Sequence, residues 1–274
     1  MKKVAFQGEK GAFSEAAAYH YWGEAVEPLP CRTFREVFES VTNKTSDFGI
    51  VPIENSFTGS IHQNMDLLLD FHLSVIGEIF LRIHHNLLVV PGTKMSEIRK
   101  VHSHPQGLGQ CSDFIEKHGW EAAPMYDTAG SAQWVADQKN KSFAAIASVR
   151  AGEDYGLDIL ERNIENNDSN YTRFLVIAAE PVVPQTSAKT SIVFSTKDIP
   201  GALFKALSVF ALRDINLLKI ESRPLRQGSW QYWFYLDFEG SMQEEACVKA
   251  IGHLEEISSF VKILGSYEKG AVIE

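Results

Sequence analysis

Short apolar runs alternate with amphipathic stretches along the first two thirds of the chain. Val4-Ala5-Phe6 precedes a glycine turn, residues 14–22 and 33–42 carry helical spacing, and Phe48-Gly49-Ile50-Val51 returns to an unbroken apolar run. The rhythm continues through Leu87-Leu88-Val89-Val90 and Val101, then helical stretches over about 109–118 and 131–138. Ala144-Ala145-Ile146-Ala147 and Phe174-Leu175-Val176-Ile177 follow. Such alternation predicts an α/β fold, a parallel or mixed sheet flanked by helices.

The segment AEPVVPQTSAK at 179–189 has two prolines among polar filler and reads as a linker, giving domains over 1–180 and 190–274. Beyond it the pattern predicts a strand over 190–196, a helix over 201–213 and a strand over 216–221. A turn at Gly228, an alternating strand over 230–238, a helix over about 243–257 and a strand over about 261–267 complete the tail. Leu203, Leu207 and Phe210 fall at steps of four and three, which predicts one buried stripe on the first helix. The order βαββαβ is ferredoxin-like and commonly leaves one sheet edge free to pair with a second copy.

The 274 residues carry 35 acidic and 26 basic side chains, a formal charge of -9. No Lys/Arg cluster stands out beyond Lys2-Lys3 and the scattered Arg223 and Arg226, so a nucleic-acid partner is not expected. No apolar run approaches the ~20 residues of a spanning helix, and Met1-Lys2-Lys3-Val4 leads straight to Gln7, Gly8 and Glu9, so neither a membrane nor a secretory leader is expected. Cys31, Cys111 and Cys247 are odd in number with no CxxC pair, which suggests no disulfide frame, no thiolate zinc site and a reducing cytoplasmic location.

Four polar segments follow apolar runs. In Phe6-Gln7-Gly8-Glu9-Lys10-Gly11-Ala12-Phe13-Ser14 a strand feeds two glycines and an Ala-rich helix that Ser14 would cap. Free N–H groups there would suit an anion, although GxxG fits neither a dinucleotide fingerprint nor a P-loop, and a plain strand-to-helix turn also accounts for it. Asn55, Ser56, Thr58 and Ser60 cluster in the second segment, 51–60, more neutral donors than helix capping needs, which favours a small polar ligand. The third, 101–112, reads as a strand, a glycine-punctuated loop and a helix. Its His102 and His104 share a strand face but lack a third ligand nearby, and Pro105 ends regular pairing, so no metal site is expected. The His84-His85 pair faces opposite sides of a strand and is a weaker candidate, and Cys111 reads as a small hydrophobe. In the fourth, 166–174, Arg173 has the forked geometry for a carboxylate but could equally form a surface ion pair, and Thr172 could owe its place to strand propensity.

At these four segments the sequence resembles the prephenate dehydratase family, and the resemblance extends over the whole chain. The FQGxxGAFS motif stands at 6–14, PIENS with a following GS at 52–60, SHPQ followed by Q-C-S at 103–112, and N-x-TRF at 170–174. The tail is similar to an ACT regulatory domain, with GAL at Gly201-Ala202-Leu203 and ESRP at Glu221-Ser222-Arg223-Pro224. The resemblance implies a two-lobed, periplasmic-binding-protein-like catalytic domain with its site between the lobes, and a monofunctional bacterial type without a fused chorismate mutase domain.

By resemblance, Thr172 is the catalytic threonine, hydrogen-bonding or relaying a proton to the departing hydroxyl of prephenate. Asn55, Ser103 and Gln110 match the other active-site positions, while Arg173 and the loop around Ser56, Thr58 and Gly59 are assigned to the two carboxylates. The aromatising loss of carbon dioxide and water requires no metal or organic cofactor. Arogenate, with an amino group in place of the keto oxygen, is the alternative substrate, and a non-catalytic amino-acid sensor is a more distant reading. The ACT resemblance implies feedback by L-phenylalanine near Gly201, Ala202, Leu203, Asn216, Leu217, Glu221 and Ser222, in a dimer or dimer of dimers.

Overall fold

A computed structural model describes residues 1–185, 187–224 and 232–273. The chain forms two compact units, one of Met1–Asn64, Ile79–Phe174 and the residues from Val272 on, the other of Met65–Glu78 and Leu175–Ala271.

The first lobe is built from β1 (Lys2–Gln7), α1 (Phe13–Trp22), β2 (Val26–Cys31), α2 (Phe34–Thr42), β3 (Phe48–Asn55), β4 (Gly59–Ser60), the start of α3 (His62–Asp70) and the end of β5 (Ser74–Arg82). The apolar runs of β1 and β3 lie parallel at the sheet centre, where Val4, Phe6, Ile50 and Val51 are buried. β2 carries Pro28 and Pro30 and pairs only with β1, at the sheet edge where proline is tolerated.

The second lobe holds β6 (Asn86–Val89), β7 (Lys100–Ser103), α4 (Pro105–Gln110), α5 (Ser112–His118), β8 (Glu121–Pro124), α6 (Thr128–Gln138), β9 (Phe143–Ala147), α7 (Val149–Tyr155) and β10 (Asp158–Glu161). Its strand order is β10-β6-β9-β7-β8. The stretch 105–109, expected as a loop, is helical. Pro105 is preset for a first helical turn, and the His104 ring accepts the Gln106 N–H at 3.2 Å. His102 instead packs on Trp134, with ring centroids 4.4 Å apart.

β11 (Tyr171–Ala178) returns the chain to the first sheet, between β3 and β5, so two segments cross between the lobes. The crossings are tied together. Ile83 N–H donates to Asn170 O at 2.7 Å and Ile164 N–H to His85 O at 2.9 Å. Glu165 accepts the His85 backbone N–H at 2.9 Å and stands 3.2 Å from His84 Nδ1. The lobes also meet at Gly11, where a Cβ would fall 2.6 Å from Ala151 Cα and Ser148 Oγ donates to Gly11 O at 2.6 Å. Two lobes joined by two crossing segments are the arrangement that the family resemblance implies.

The second unit contains β12 (Ala188–Thr196), α8 (Ala202–Ala211), β13 (Leu217–Pro224), β14 (Tyr232–Glu239), α9 (Glu245–Ile257) and β15 (Ser258–Glu268); β16 (Val272–Ile273) follows and pairs with β5. The sheet is antiparallel in the order β13-β14-β12-β15, the ferredoxin-like arrangement. Gly228, Trp230 and Arg226, and Thr186 in the linker, lie outside the described residues. The expected stripe on α8 is shifted: Ala206, Val209 and Phe210 are buried, while Leu203 is 36% exposed in the first turn.

This unit also holds residues 65–78, although the linker reading groups them with the first 180. Tyr235 OH donates to Met65 O at 3.0 Å, Arg223 pairs with Asp66 at 2.8 Å, and Lys262 Nζ donates to the carbonyls of Leu68, Leu69 and Phe71 at 2.8–3.0 Å. Buried Lys189 and Glu78 pair at 2.7 Å. Among the described residues no helix is long and apolar enough to cross a membrane.

Candidate active site

A cavity of about 500 Å³ in the first unit is lined from both lobes, from the crossing between β5 and β6, and by Thr172 and Phe174 of β11. Residues at the starts of four helices face it: Phe13 and Ser14 of α1, Arg32 to Phe34 at α2, Gln106 at α4, and Asp127 and Thr128 at α6. The first N–H groups of a helix lack intrahelical acceptors and carry partial positive charge, so this wall favours an anion in a protein whose net charge is -9. At α1 the capping position belongs to Ala12, which supplies no side-chain cap; Ser14 lies inside the helix and does not cap it. Thr33 and Asp127 do cap, accepting the Glu36 N–H at 3.2 Å and the Gly130 N–H at 2.8 Å.

A chain of side-chain hydrogen bonds runs along the cavity. Asn55 Oδ1 accepts the backbone N–H groups of Phe57 at 3.0 Å and Thr58 at 3.1 Å. Asn55 Nδ2 therefore faces the other way and donates to Asn170 Oδ1 at 2.8 Å and Thr172 Oγ1 at 2.9 Å. Asn170 Nδ2 passes the polarity on to Gln110 Oε1 at 3.2 Å, and His85 Nε2 lies 2.7 Å from the same oxygen. Gln110 Nε2 is buried with no hydrogen-bond partner.

Thr172, Asn55 and Gln110 are thus brought together at the cavity. Ser103 is not: it is fully buried beneath α4, and its hydroxyl donates to Ile146 O at 2.7 Å. Ser56 Oγ is committed to β11, donating to Ser169 O at 3.0 Å and accepting the Tyr171 N–H at 2.9 Å. Thr58 accepts from Gln106 Nε2 at 2.9 Å and lines a smaller neighbouring cavity of about 290 Å³; Gly59, with φ +76°, pairs with Asn55. Arg173 departs most from expectation. Thr172 and Phe174 line the cavity, so strand alternation sends Arg173 to the opposite face, where it is buried with its guanidinium 5.9 Å from the Phe80 ring centre.

Arg32 and Asp127 line the cavity although the sequence pattern points to neither, and His85, which the pattern offers only as a weak metal candidate, lines it too. Among the described lining residues Arg32 is the one Lys or Arg and Asp127 the one carboxyl; burial pushes the Asp127 carboxyl up from its ordinary pKa. His85 is 2% exposed, and burial pushes its pKa down, favouring a neutral ring. Cys111 is fully buried and its thiol is pushed up by burial, consistent with a small hydrophobe.

In the second unit, Gly201 stands at the start of α8 with φ +76° and no side-chain cap. Ala202 and Leu203 form its first turn, Asn216 and Leu217 open β13, Glu221 pairs with Lys219 at 3.1 Å, and Ser222 is exposed.

Residues 4–182 match the prephenate dehydratase family, and residues 190–255 match the ACT domain. The chain is 46% identical over 276 residues to arogenate dehydratase/prephenate dehydratase 2, chloroplastic, of Arabidopsis thaliana, covering 97% of this chain and 72% of that protein. Among solved structures, prephenate dehydratase in complex with L-Phe from Arthrobacter aurescens superposes with a TM-score of 0.89 at 30% identity, covering 97% of this chain and 90% of that one. GqqA, described as a novel type of quorum quenching acylase, gives 0.88 at 32% identity over 98% of both chains. With both matches spanning the two halves, the chain belongs to the prephenate dehydratase family and carries an ACT domain in its C-terminal part.

Proposed function

We propose that the protein converts prephenate to phenylpyruvate for L-phenylalanine synthesis. The ring carboxylate leaves as carbon dioxide, its bonding electrons complete the aromatic ring, and the 4-hydroxyl takes up one proton and departs as water. The observation that carries this reading is the hydrogen bond from Asn55 Nδ2 to Thr172 Oγ1. It occupies an acceptor site on the hydroxyl and leaves the Thr172 hydrogen for the departing oxygen, beside the free Gln110 amide.

Arg32 and the helix starts take the pyruvyl carboxylate in this reading, replacing Arg173. The ring carboxylate must shed its charge, so a tight ion pair there would stabilise the ground state and slow the reaction. Phe13, Phe34 and Phe174 offer it an apolar wall. Ser103 supports α4 without touching substrate, and Ser56, Thr58 and Gly59 shape the Asn55 loop.

L-Phenylalanine acts as inhibitor at the ACT domain, near Gly201, Ala202, Leu203, Asn216, Leu217, Glu221 and Ser222. The uncapped start of α8 suits its carboxylate. The chain is read as a cytoplasmic homo-oligomer, a dimer or dimer of dimers, supported by the edge positions of β13 and β15 and by exposed Leu218 and Ile220.

Arogenate is a second reading, favoured by Asp127, whose carboxyl lines the cavity and could meet an ammonium group. Product formation from each substrate, with and without L-phenylalanine, tests the scheme. Phenylpyruvate formation suppressed by phenylalanine is expected; a preference for arogenate would change the substrate, and turnover of neither would overturn the reading.

A further inference from the structure

We infer that His85 is a positioning residue of the dehydration, acting through Gln110: its Nε2–H holds the Gln110 carbonyl oxygen, so that the Gln110 amide N–H stays free for the leaving hydroxyl. The inference rests on the dehydratase reading above.

The direction of every bond in the chain is set by two groups that can only donate, the backbone N–H groups of Phe57 and Thr58. They fix Asn55 Oδ1, which fixes Asn170, which turns Gln110 Oε1 toward Asn170 Nδ2. An amide oxygen cannot donate, so the His85 nitrogen 2.7 Å away must carry the proton. Gln110 then has two donors on its oxygen and none of its own hydrogens bound.

The ring is held for this task. The His85 backbone N–H is fixed by Glu165 Oε2 at 2.9 Å and its carbonyl by Ile164 N–H at 2.9 Å, both from the other crossing. Phe13 meets the ring edge-on at 5.5 Å, and a Cβ on Gly107 would come within 3.6 Å of His85 Cε1. His85 Nδ1 makes no hydrogen bond, so Nε2 is its polar anchor.

The test is a double-mutant cycle with His85→Leu and Gln110→Ala in the full chain, beside His85→Gln, whose terminal amide can reach the Nε2 position. His85→Leu should lower kcat roughly 10- to 100-fold, the scale of a misplaced catalytic group, with KM changed less than about 3-fold. His85→Gln should recover most of that loss, and in the Gln110→Ala background His85→Leu should cost nothing further. Nitrogen NMR of labelled wild-type protein should show a neutral ring protonated at Nε2. Fully additive losses, a change confined to KM, or an Nδ1–H ring would overturn the inference. If the leucine variant fails to fold, the glutamine variant and the tautomer decide. Absence of wild-type turnover on both substrates would sink the dehydratase reading instead, while the tautomer still judges the His85–Gln110 bond.

Discussion

Asn55 Nδ2 donates to Thr172 Oγ1 across 2.9 Å, joining the last residue of β3 to the second residue of β11. Because the Asn55 oxygen is pinned by two backbone N–H groups, the amide cannot turn over without facing donor to donor. Thr172 is therefore an acceptor toward the protein and a donor toward the cavity. A hydroxyl so arranged can stabilise an oxygen that gains negative charge as its bond to carbon breaks.

Removing that hydroxyl should separate chemistry from folding. Thr172→Ala is expected to reduce turnover by at least ~10²-fold, the lower range for loss of a proton-transfer group, while Thr172→Ser keeps most of it. Asn55 Nδ2 retains Asn170 and the Tyr171 carbonyl as acceptors, so stability should fall by only about 1 kcal/mol. Phenylpyruvate formation and urea unfolding on the same preparations would check both numbers; a folded alanine variant with normal turnover removes Thr172 from the mechanism.

Asn55→Asp should be far more disruptive than its size suggests. The new carboxylate would face Asn170 Oδ1, Tyr171 O and Thr172 Oγ1 from a buried position. Burial and facing acceptors favour the protonated acid, so its folded pKa lies above the unfolded value of ~3.9. The deficit is then smallest in acid and grows as pH rises through the folded pKa, reaching about 2 kcal/mol or more at neutral pH. Urea midpoints of variant and wild type at pH 5 and pH 8 measure this; a gap independent of pH would contradict it.

The α/β rhythm and the βαββαβ tail were legible because periods of 2 and 3.6 are local properties of the chain. β2 was not, since Pro28 and Pro30 argue against a strand, and only its position at the sheet edge makes them harmless. Asn55 and Thr172 are legible as polar residues after apolar runs, while Gln110, and the roles of all three, come from the family resemblance alone. The role of His85 is not legible, because His84-His85 reads as neighbours on opposite sides of a strand. The pair instead lies in the crossing between β5 and β6, and which crossings meet is a tertiary fact. The Arg173 assignment, by contrast, conflicted with a signal already present: in a strand, adjacent residues cannot both face one cavity.

Where α1 meets α7, Glu15 gives a pH signature. Its carboxylate is fully buried, accepts the Gly11 N–H at 2.6 Å and stands 3.9 Å from Arg150 Nε, yet burial outweighs both and raises its pKa. A carboxyl whose folded pKa is raised binds its proton more tightly in the folded state, so the wild type loses stability as pH rises from the ordinary carboxylate value through the folded one. Glu15→Gln removes that dependence while keeping an oxygen for Gly11. The stability difference between variant and wild type should therefore move in the variant's favour between pH 4 and pH 7; movement the other way would mean that Arg150 dominates.

The two arginines should separate binding from folding. Arg32 is exposed at the cavity, so Arg32→Gln is expected to raise KM for prephenate about 10-fold, with kcat nearly unchanged and stability within about 0.5 kcal/mol of wild type. That pattern follows if the guanidinium holds the pyruvyl carboxylate equally in ground and transition states. Arg173 is buried on the far face of β11, so Arg173→Gln should leave KM unaltered and lower stability by about 2 kcal/mol or more. Steady-state kinetics and urea unfolding of both variants measure all four effects. The reverse pattern, KM following Arg173 and stability following Arg32, would return the carboxylate to Arg173 and require β11 to present its other face to the cavity.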